Sequence, residues 1–173
     1  VGGVNNSDAF AGVGQFGLYN RVEHFAGIAQ VSVFNSSRET FTGLGQFGLV
    51  NASDGFKGVL QAGLGNVASN AVGAQVGLLN MSKSQASGLQ LGLVDVAEEA
   101  NGLQVGGFNY AERVSGVQVG LVNHAGVLNG LQIGLVNHAD SGGLLPWSGL
   151  LNIGYGGGGD DSITGGKGPD QLA

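Results

Sequence analysis

Residues 120–139 read GLVNHAGVLNGLQIGLVNHA and contain the string GLVNHA twice, with the two copies 14 residues apart. A perfect repeat at so short an interval indicates a chain assembled from small units. Such a repeat governs the fold more strongly than the propensity of any single segment. The same spacing continues from this stretch toward the N-terminus.

Glutamine marks the repeat, because it recurs at intervals of 14–16 residues. Glycine follows each glutamine after two residues, except at Ser32, and asparagine follows after five, except at Asp95. The unit is therefore x-Gln-x-Gly-Leu-x-Asn, then a polar turn, then one inward residue and a glycine. The glutamines are Gln15, Gln30, Gln46, Gln61, Gln75, Gln90, Gln104, Gln118 and Gln132.

The segment 131–137 has the period-2 pattern of a β-strand with one face on a core. Leu131, Ile133 and Leu135 form an apolar row, which we expect to point inward and to end at an inward Asn137. Gln132 should then point outward. A helix is a poor alternative, because each interior glycine costs about 1 kcal/mol.

One unit cannot bury its own apolar row, but units stacked at about 4.8 Å bury it continuously. The repeat thus predicts an all-β protein, a single-stranded β-solenoid of about ten coils of 14–16 residues over residues 1–143. Stacked asparagines should form an inward amide ladder, which would make the N-x-Ser matches unsuitable for glycosylation. The inward residue of the second strand shrinks from Phe25, Phe41 and Phe56 to Ala86 and Ala100, so the core should narrow.

Composition excludes several functional classes. The formal net charge is −6, and the six Lys and Arg residues are scattered, which argues against a nucleic-acid partner. Cysteine is absent, so disulfides and thiolate chemistry are excluded. Gly, Gln or Asn interrupts every long apolar stretch, and no transmembrane helix is expected.

The outward side of the Gln-Gly strand carries few charges, and such weakly hydrated surfaces often mark contacts. The hypothesis is self-association through a flat face of glutamine, glycine and apolar residues. The alternative is that glycine serves a bend and the apolar residue folds over it. The predicted face comprises Gln46, Gly48, Val50, Gln90, Gly92, Val94, Gln118, Gly120, Val122, Gln132, Gly134 and Val136.

Two histidines are the strongest candidates for chemistry. His124 and His138 occupy equivalent repeat positions, so they should stack one strand spacing apart. Asp140 lies close enough to be a third metal ligand, although copying of an outward turn residue by duplication also explains the pair. Asp95 replaces an asparagine of the ladder. No charged residues gather into a catalytic arrangement, and we do not expect an enzyme.

The repeat breaks at residues 144–155, an insertion or junction that holds the only tryptophan, Trp147. Residues 156–173 then form two nine-residue units that match G-G-x-G-x-D-x-U-x and resemble the calcium-binding nonapeptides of repeats-in-toxin proteins. The resemblance implies a parallel β-roll, calcium at Asp161 and Asp170, and export from a Gram-negative cell. Two units would supply only incomplete calcium sites.

The main body resembles bacterial surface-repeat proteins built from GLQxGLxN units, as in residues 130–137. That resemblance implies an extracellular or cell-surface location and no particular activity. The predicted function is a structural or adhesive role, as a homo-oligomer, filament or layer. The alternative is a ligand-binding solenoid for ice or a polysaccharide, although threonine is limited to Thr40, Thr42 and Thr164.

Overall fold

The computed structural model describes residues 2–155, which fold into one sheet of eight strands in the order β1 to β8. Strands β1 to β7 pair in parallel, each with the next, so the predicted all-β solenoid is confirmed. No helix capable of crossing a membrane occurs among these residues. The strands are β1 (Val4–Phe16), β2 (Tyr19–Val31), β3 (Phe34–Phe47), β4 (Val50–Ala62), β5 (Gly65–Val76), β6 (Leu79–Leu91), β7 (Val94–Ser141) and β8 (Trp147–Tyr155).

Equivalent repeat positions are stacked directly above one another. Asn5 pairs with Asn20 and Gln15 with Gln30, and the same matching continues to Gln90 and Gln104. Strands β1 to β6 form one coil each. The 48 residues of β7 pass through several coils without a break. The nonapeptide segment, with the predicted calcium ligands Asp161 and Asp170, lies outside the described residues.

The two faces of the Gln-Gly strand are the reverse of the prediction. Gln132 is fully buried, whereas Leu135 is 66% exposed and Ile133 is 40% exposed. The same holds for the glutamines predicted to point outward, Gln46, Gln90 and Gln118, which are all buried. The apolar row therefore lies on the surface, and the polar row forms the core.

Amide ladders explain why glutamine can replace leucine inside. Each glutamine from Gln30 to Gln132 donates Nε2–H to Oε1 of the glutamine one coil earlier, at 2.7–2.9 Å. The asparagines form a second buried ladder that runs the opposite way, with Asn66 donating to Asn80 of the following coil at 2.8 Å. Buried amides satisfied in this way avoid the desolvation cost of an unpaired polar group.

The corner between the two ladders requires glycine. A Cβ on Gly92 would lie 2.8 Å from the carbonyl oxygen of Gly77 and 2.7 Å from Nδ2 of Asn80. Both distances are far below van der Waals contact. Glycine at this repeat position thus allows neighbouring coils to approach closely, and it does not form part of an outward face.

The apolar part of the core narrows as predicted. Phe10, Phe25, Phe41 and Phe56 stack with ring centroids 4.8–5.3 Å apart. Beyond Phe56 the column continues as buried alanines and then enlarges again to the buried Val114 and Leu128. The second strand of the coil was therefore predicted with the correct side inward.

Strand β8 covers the last coil in the antiparallel direction. It pairs with residues 129–138 of β7, and Asn152 is opposite Gln132. Asn152 Nδ2 donates to Gln132 Oε1 at 3.3 Å and to the carbonyl oxygen of Leu145 at 3.0 Å. The predicted insertion at 144–155 therefore contains a strand whose asparagine extends the glutamine ladder by one position.

Substituting Gln90 by Leu tests the inverted register. Gln90→Leu removes the ladder hydrogen bonds that Gln90 makes with Gln75 Oε1 and Gln104 Nε2, so the free energy of unfolding should fall by about 3 kcal/mol. Leu93→Gln, at a side chain that is 61% exposed, should change stability by less than about 0.5 kcal/mol. Urea denaturation followed by circular dichroism measures the free energy of unfolding of both variants. A larger loss of stability for Leu93→Gln than for Gln90→Leu would contradict this register.

Candidate functional site

The most extended surface feature is an apolar corner that runs along the rod. Its centre is the leucine column that follows the corner glycine, represented by Leu49, Leu64, Leu78, Leu93, Leu121 and Leu135, all at least half exposed. Two flanking columns are also partly exposed, and none of the residues in the three columns is charged. The flanking residues include Phe16, Val31, Phe47, Leu91 and Ile133 on one side, and Tyr19, Phe34, Val50, Leu79, Phe108 and Val136 on the other.

Only part of the predicted association face belongs to this apolar corner. Val50 and Val136 are 37% and 40% exposed, and Val94 and Val122 are half-buried on the same column. The glutamines of the prediction are in the core. Gly48, Gly92, Gly120 and Gly134 pack against the backbone and the asparagine amides of neighbouring coils, so they shape the corner without offering a side chain.

A shallow depression of about 470 Å³ lies on the apolar corner between three successive coils. Leu64, Leu78 and Leu93 line it with Val76, Leu91 and three corner glycines. A contrasting groove of about 530 Å³ lies elsewhere on the rod, where Glu23, Arg38, Glu39, Asp54 and Lys83 gather with several serines. The charged groove and the apolar corner are thus separate surfaces.

The histidines form part of an aromatic column on the outside of the last coils. The ring centroids of Tyr110 and His124 are 5.0 Å apart, and those of His124 and His138 are 4.8 Å apart. The Nδ1 atoms of the two histidines lie 2.8 Å from each other. The predicted stacking of His124 on His138 is confirmed, and Asp140 lies beside both rings.

The glutamine ladder holds the backbone beneath these rings. Gln118 Nε2 donates to the carbonyl oxygen of His124 at 3.2 Å, and Gln132 Nε2 donates to that of His138 at 3.0 Å. The preceding residues, Asn123 and Asn137, are joined by a 2.8 Å bond in the other ladder. The main chain of both histidines is therefore fixed from inside the rod.

Trp147 is the last member of the aromatic column, and the sequence repeat did not predict its position there. Its ring centroid lies 4.0 Å from that of His138, because β8 returns antiparallel and places the two residues opposite each other. Ala139 N–H donates to the carbonyl oxygen of Pro146 at 3.0 Å and anchors the returning chain. The exposed tryptophan thus covers the upper histidine ring.

Asp95 interrupts the asparagine ladder. Asn80 Nδ2 donates to Asp95 Oδ1 at 2.7 Å, but within residues 2–155 neither Asp95 Oδ2 nor Asn109 Oδ1 has a hydrogen-bond partner. Burial raises the pKa of Asp95 to about 6, although hydrogen bonds from Asn80 and the Gly92 backbone oppose the rise. A proton on Oδ2 would restore the donor that an asparagine provides at this position.

Replacing Asp95 by Asn should stabilise the protein at neutral pH. Ionisation of the buried carboxyl costs about 3 kcal/mol, because its pKa rises from 3.8 to about 6 on folding. The stability that the protonated carboxyl provides is complete below pH 3.8 and is lost as the pH rises through 6. The free energy of unfolding of Asp95→Asn should therefore exceed that of the wild type by about 2–3 kcal/mol at pH 7 and equal it near pH 3.5.

The measurement is urea denaturation of both proteins at several pH values, with Asp54→Asn as the control because Asp54 is exposed. A difference between Asp95→Asn and wild type that does not change with pH would contradict the ionisation of Asp95 as the cause.

Comparisons with known proteins identify no relative of this chain. No family model matches the sequence. No curated protein and no solved structure matches it either.

Proposed function

We propose that this protein is a structural or adhesive β-solenoid that associates with further copies of itself through the apolar corner. The single observation that supports this most is the run of exposed leucines on the apolar corner, of which Leu64, Leu78 and Leu93 lie on three successive coils. Soluble monomers rarely expose apolar patches of this extent without a contact function.

The geometry of the apolar corner favours a second copy as the partner. Its side chains repeat with the coil spacing, so two rods laid side by side bring leucine against leucine over the successive coils of Leu49, Leu64, Leu78 and Leu93. A two-fold arrangement would bring the same surface of both rods together. The contact area then grows with every coil, and several coils reach the roughly 800 Å² per partner of a specific interface.

The distribution of charge supports the same partner. The protein carries a formal charge of −6, so two copies repel each other wherever their charged surfaces approach. Acidic and basic side chains line the polar groove, as with Glu39 and Asp54, and none lies in the three columns of the apolar corner. Association through the apolar corner therefore avoids most of that repulsion and removes apolar surface from water.

An extracellular or cell-surface location forms part of the proposal. It is supported by the resemblance of residues 156–173 to secreted calcium-binding nonapeptides and by the GLQxGLxN units of the body. In this proposal Asp161 and Asp170 contribute to calcium binding, in sites that need additional nonapeptides for completion.

Charges on the apolar corner should abolish association. The triple variant Leu64→Glu, Leu78→Glu and Leu93→Glu places three carboxylates in the apolar depression, where burial against another copy would desolvate them. Sedimentation velocity and electron microscopy over a range of concentrations should show oligomers or filaments for the wild type and monomers for this variant.

The matched control is the triple variant Thr42→Glu, Asn70→Glu and Ser84→Glu, which adds the same charge at exposed positions outside the apolar corner. It should associate as the wild type does. Wild-type protein that remains monomeric at high concentration would overturn the proposal. If that monomer bound ice or a polysaccharide through the leucines, the protein would be a ligand-binding solenoid.

A further inference from the structure

We propose that His124, His138 and Asp140 form a binding site for a divalent transition-metal ion such as Zn²⁺. This inference is independent of self-association, because the two histidines belong to the aromatic column, Asp140 lies beside it, and none of the three belongs to the apolar corner. One ligand atom from each residue lies within 4.8 Å of the others.

The distances suit a metal with short bonds. His138 Nδ1 lies 2.8 Å from His124 Nδ1 and 3.6 Å from Asp140 Oδ1. Bonds of about 2.0–2.1 Å in a tetrahedral zinc site separate the ligand atoms by about 3.3 Å. A metal bound there therefore needs the two Nδ1 atoms to move apart by about 0.5 Å and Asp140 Oδ1 to come about 0.3 Å closer to His138 Nδ1.

The donor set selects the class of ion. Two imidazole nitrogens with one carboxylate oxygen favour zinc, nickel or copper, whereas calcium and magnesium prefer sites made of oxygen. Asp140 contributes one negative charge, and its ion-pair contacts among the described residues are with these two histidines. Three protein ligands leave further positions of the ion for water or for a ligand from another molecule.

The site is held in place before any ion binds. Both histidine backbones are fixed by Gln118 and Gln132 from the core, so ion binding orders only side-chain torsions. Tyr110 stacks on the His124 ring, and Trp147 lies against the His138 ring at an angle of 36°. Both restrict the rotation of the imidazoles. The imidazole side chains are only 26% and 19% exposed, which limits competition from water.

Trp147 is also a reporter for the site, because it is the only tryptophan and its ring lies 4.0 Å from that of His138. Cu²⁺ or Ni²⁺ bound at His138 should quench its fluorescence in a saturable way. The full chain is titrated in chelator-free buffer with Zn²⁺ by calorimetry and with Ni²⁺ by fluorescence.

Both measurements should show one site per chain that depends on the histidines. The variants His124→Ala and His138→Ala should bind at least tenfold more weakly and lose the saturable quenching. Asp140→Asn keeps the shape of the carboxylate and should weaken binding to a smaller degree. His24→Ala is the matched control, because His24 lies far from the site and contacts Glu39 instead. This variant should bind Zn²⁺ as the wild type does.

Circular dichroism verifies that each variant remains folded, and Asp140→Asn keeps the test decisive if a histidine variant unfolds. The proposal is overturned if the wild type shows no saturable binding below about 1 mM Zn²⁺. It is equally overturned if His124→Ala, His138→Ala and Asp140→Asn all bind Zn²⁺ as the wild type does, because the ion would then lie elsewhere in the chain.

Discussion

Hydrogen bonding between identical buried amides is the interaction on which the rest of this structure depends. An amide carries both donors and acceptors, so a column of glutamines or of asparagines satisfies itself at the spacing of β-strands. The two ladders run in opposite directions, and their dipoles therefore partly cancel. Neighbouring hydrogen bonds in such a chain also polarise and strengthen one another. Register, corner glycines and the exposure of leucine all follow from keeping these ladders continuous.

The spacing of Gln, Gly and Asn was enough to predict a parallel β-solenoid, the inward asparagines and the phenylalanine column. It was not enough to predict which face of the Gln-Gly strand is buried. A period of two defines two faces, and a choice by hydrophobicity assigned Leu131, Ile133 and Leu135 to the core. Hydrophobicity scales treat glutamine as a lone polar group, whereas Gln132 is fully hydrogen-bonded by its neighbours along the rod.

Only those residues of the histidine site that occupy equivalent repeat positions could be predicted from the sequence. Equal repeat positions placed His124 over His138, and Tyr110 occupies the equivalent position one coil earlier. The position of Trp147 could not be predicted in this way, because β8 runs antiparallel to β7. Its contact with His138 therefore does not follow the 14-residue spacing of the repeat. The missing hydrogen-bond partners beside Asp95 could not be predicted either, because they depend on the direction of donation along the asparagine ladder, in which Asp95 has no amide hydrogen to donate to Asn109.

The self-complementary ladders have an evolutionary consequence, because any coil presents the same donors and acceptors to the coil on either side. In-frame gain or loss of one 14- or 15-residue unit would leave both ladders intact, so the length of the rod is free to vary under recombination between repeats. The stacked rings of Phe10 to Phe56 limit this freedom. Units are interchangeable among the coils with phenylalanine or among the coils with alanine, and a swap between coils with inward residues of different size would leave a cavity or a clash.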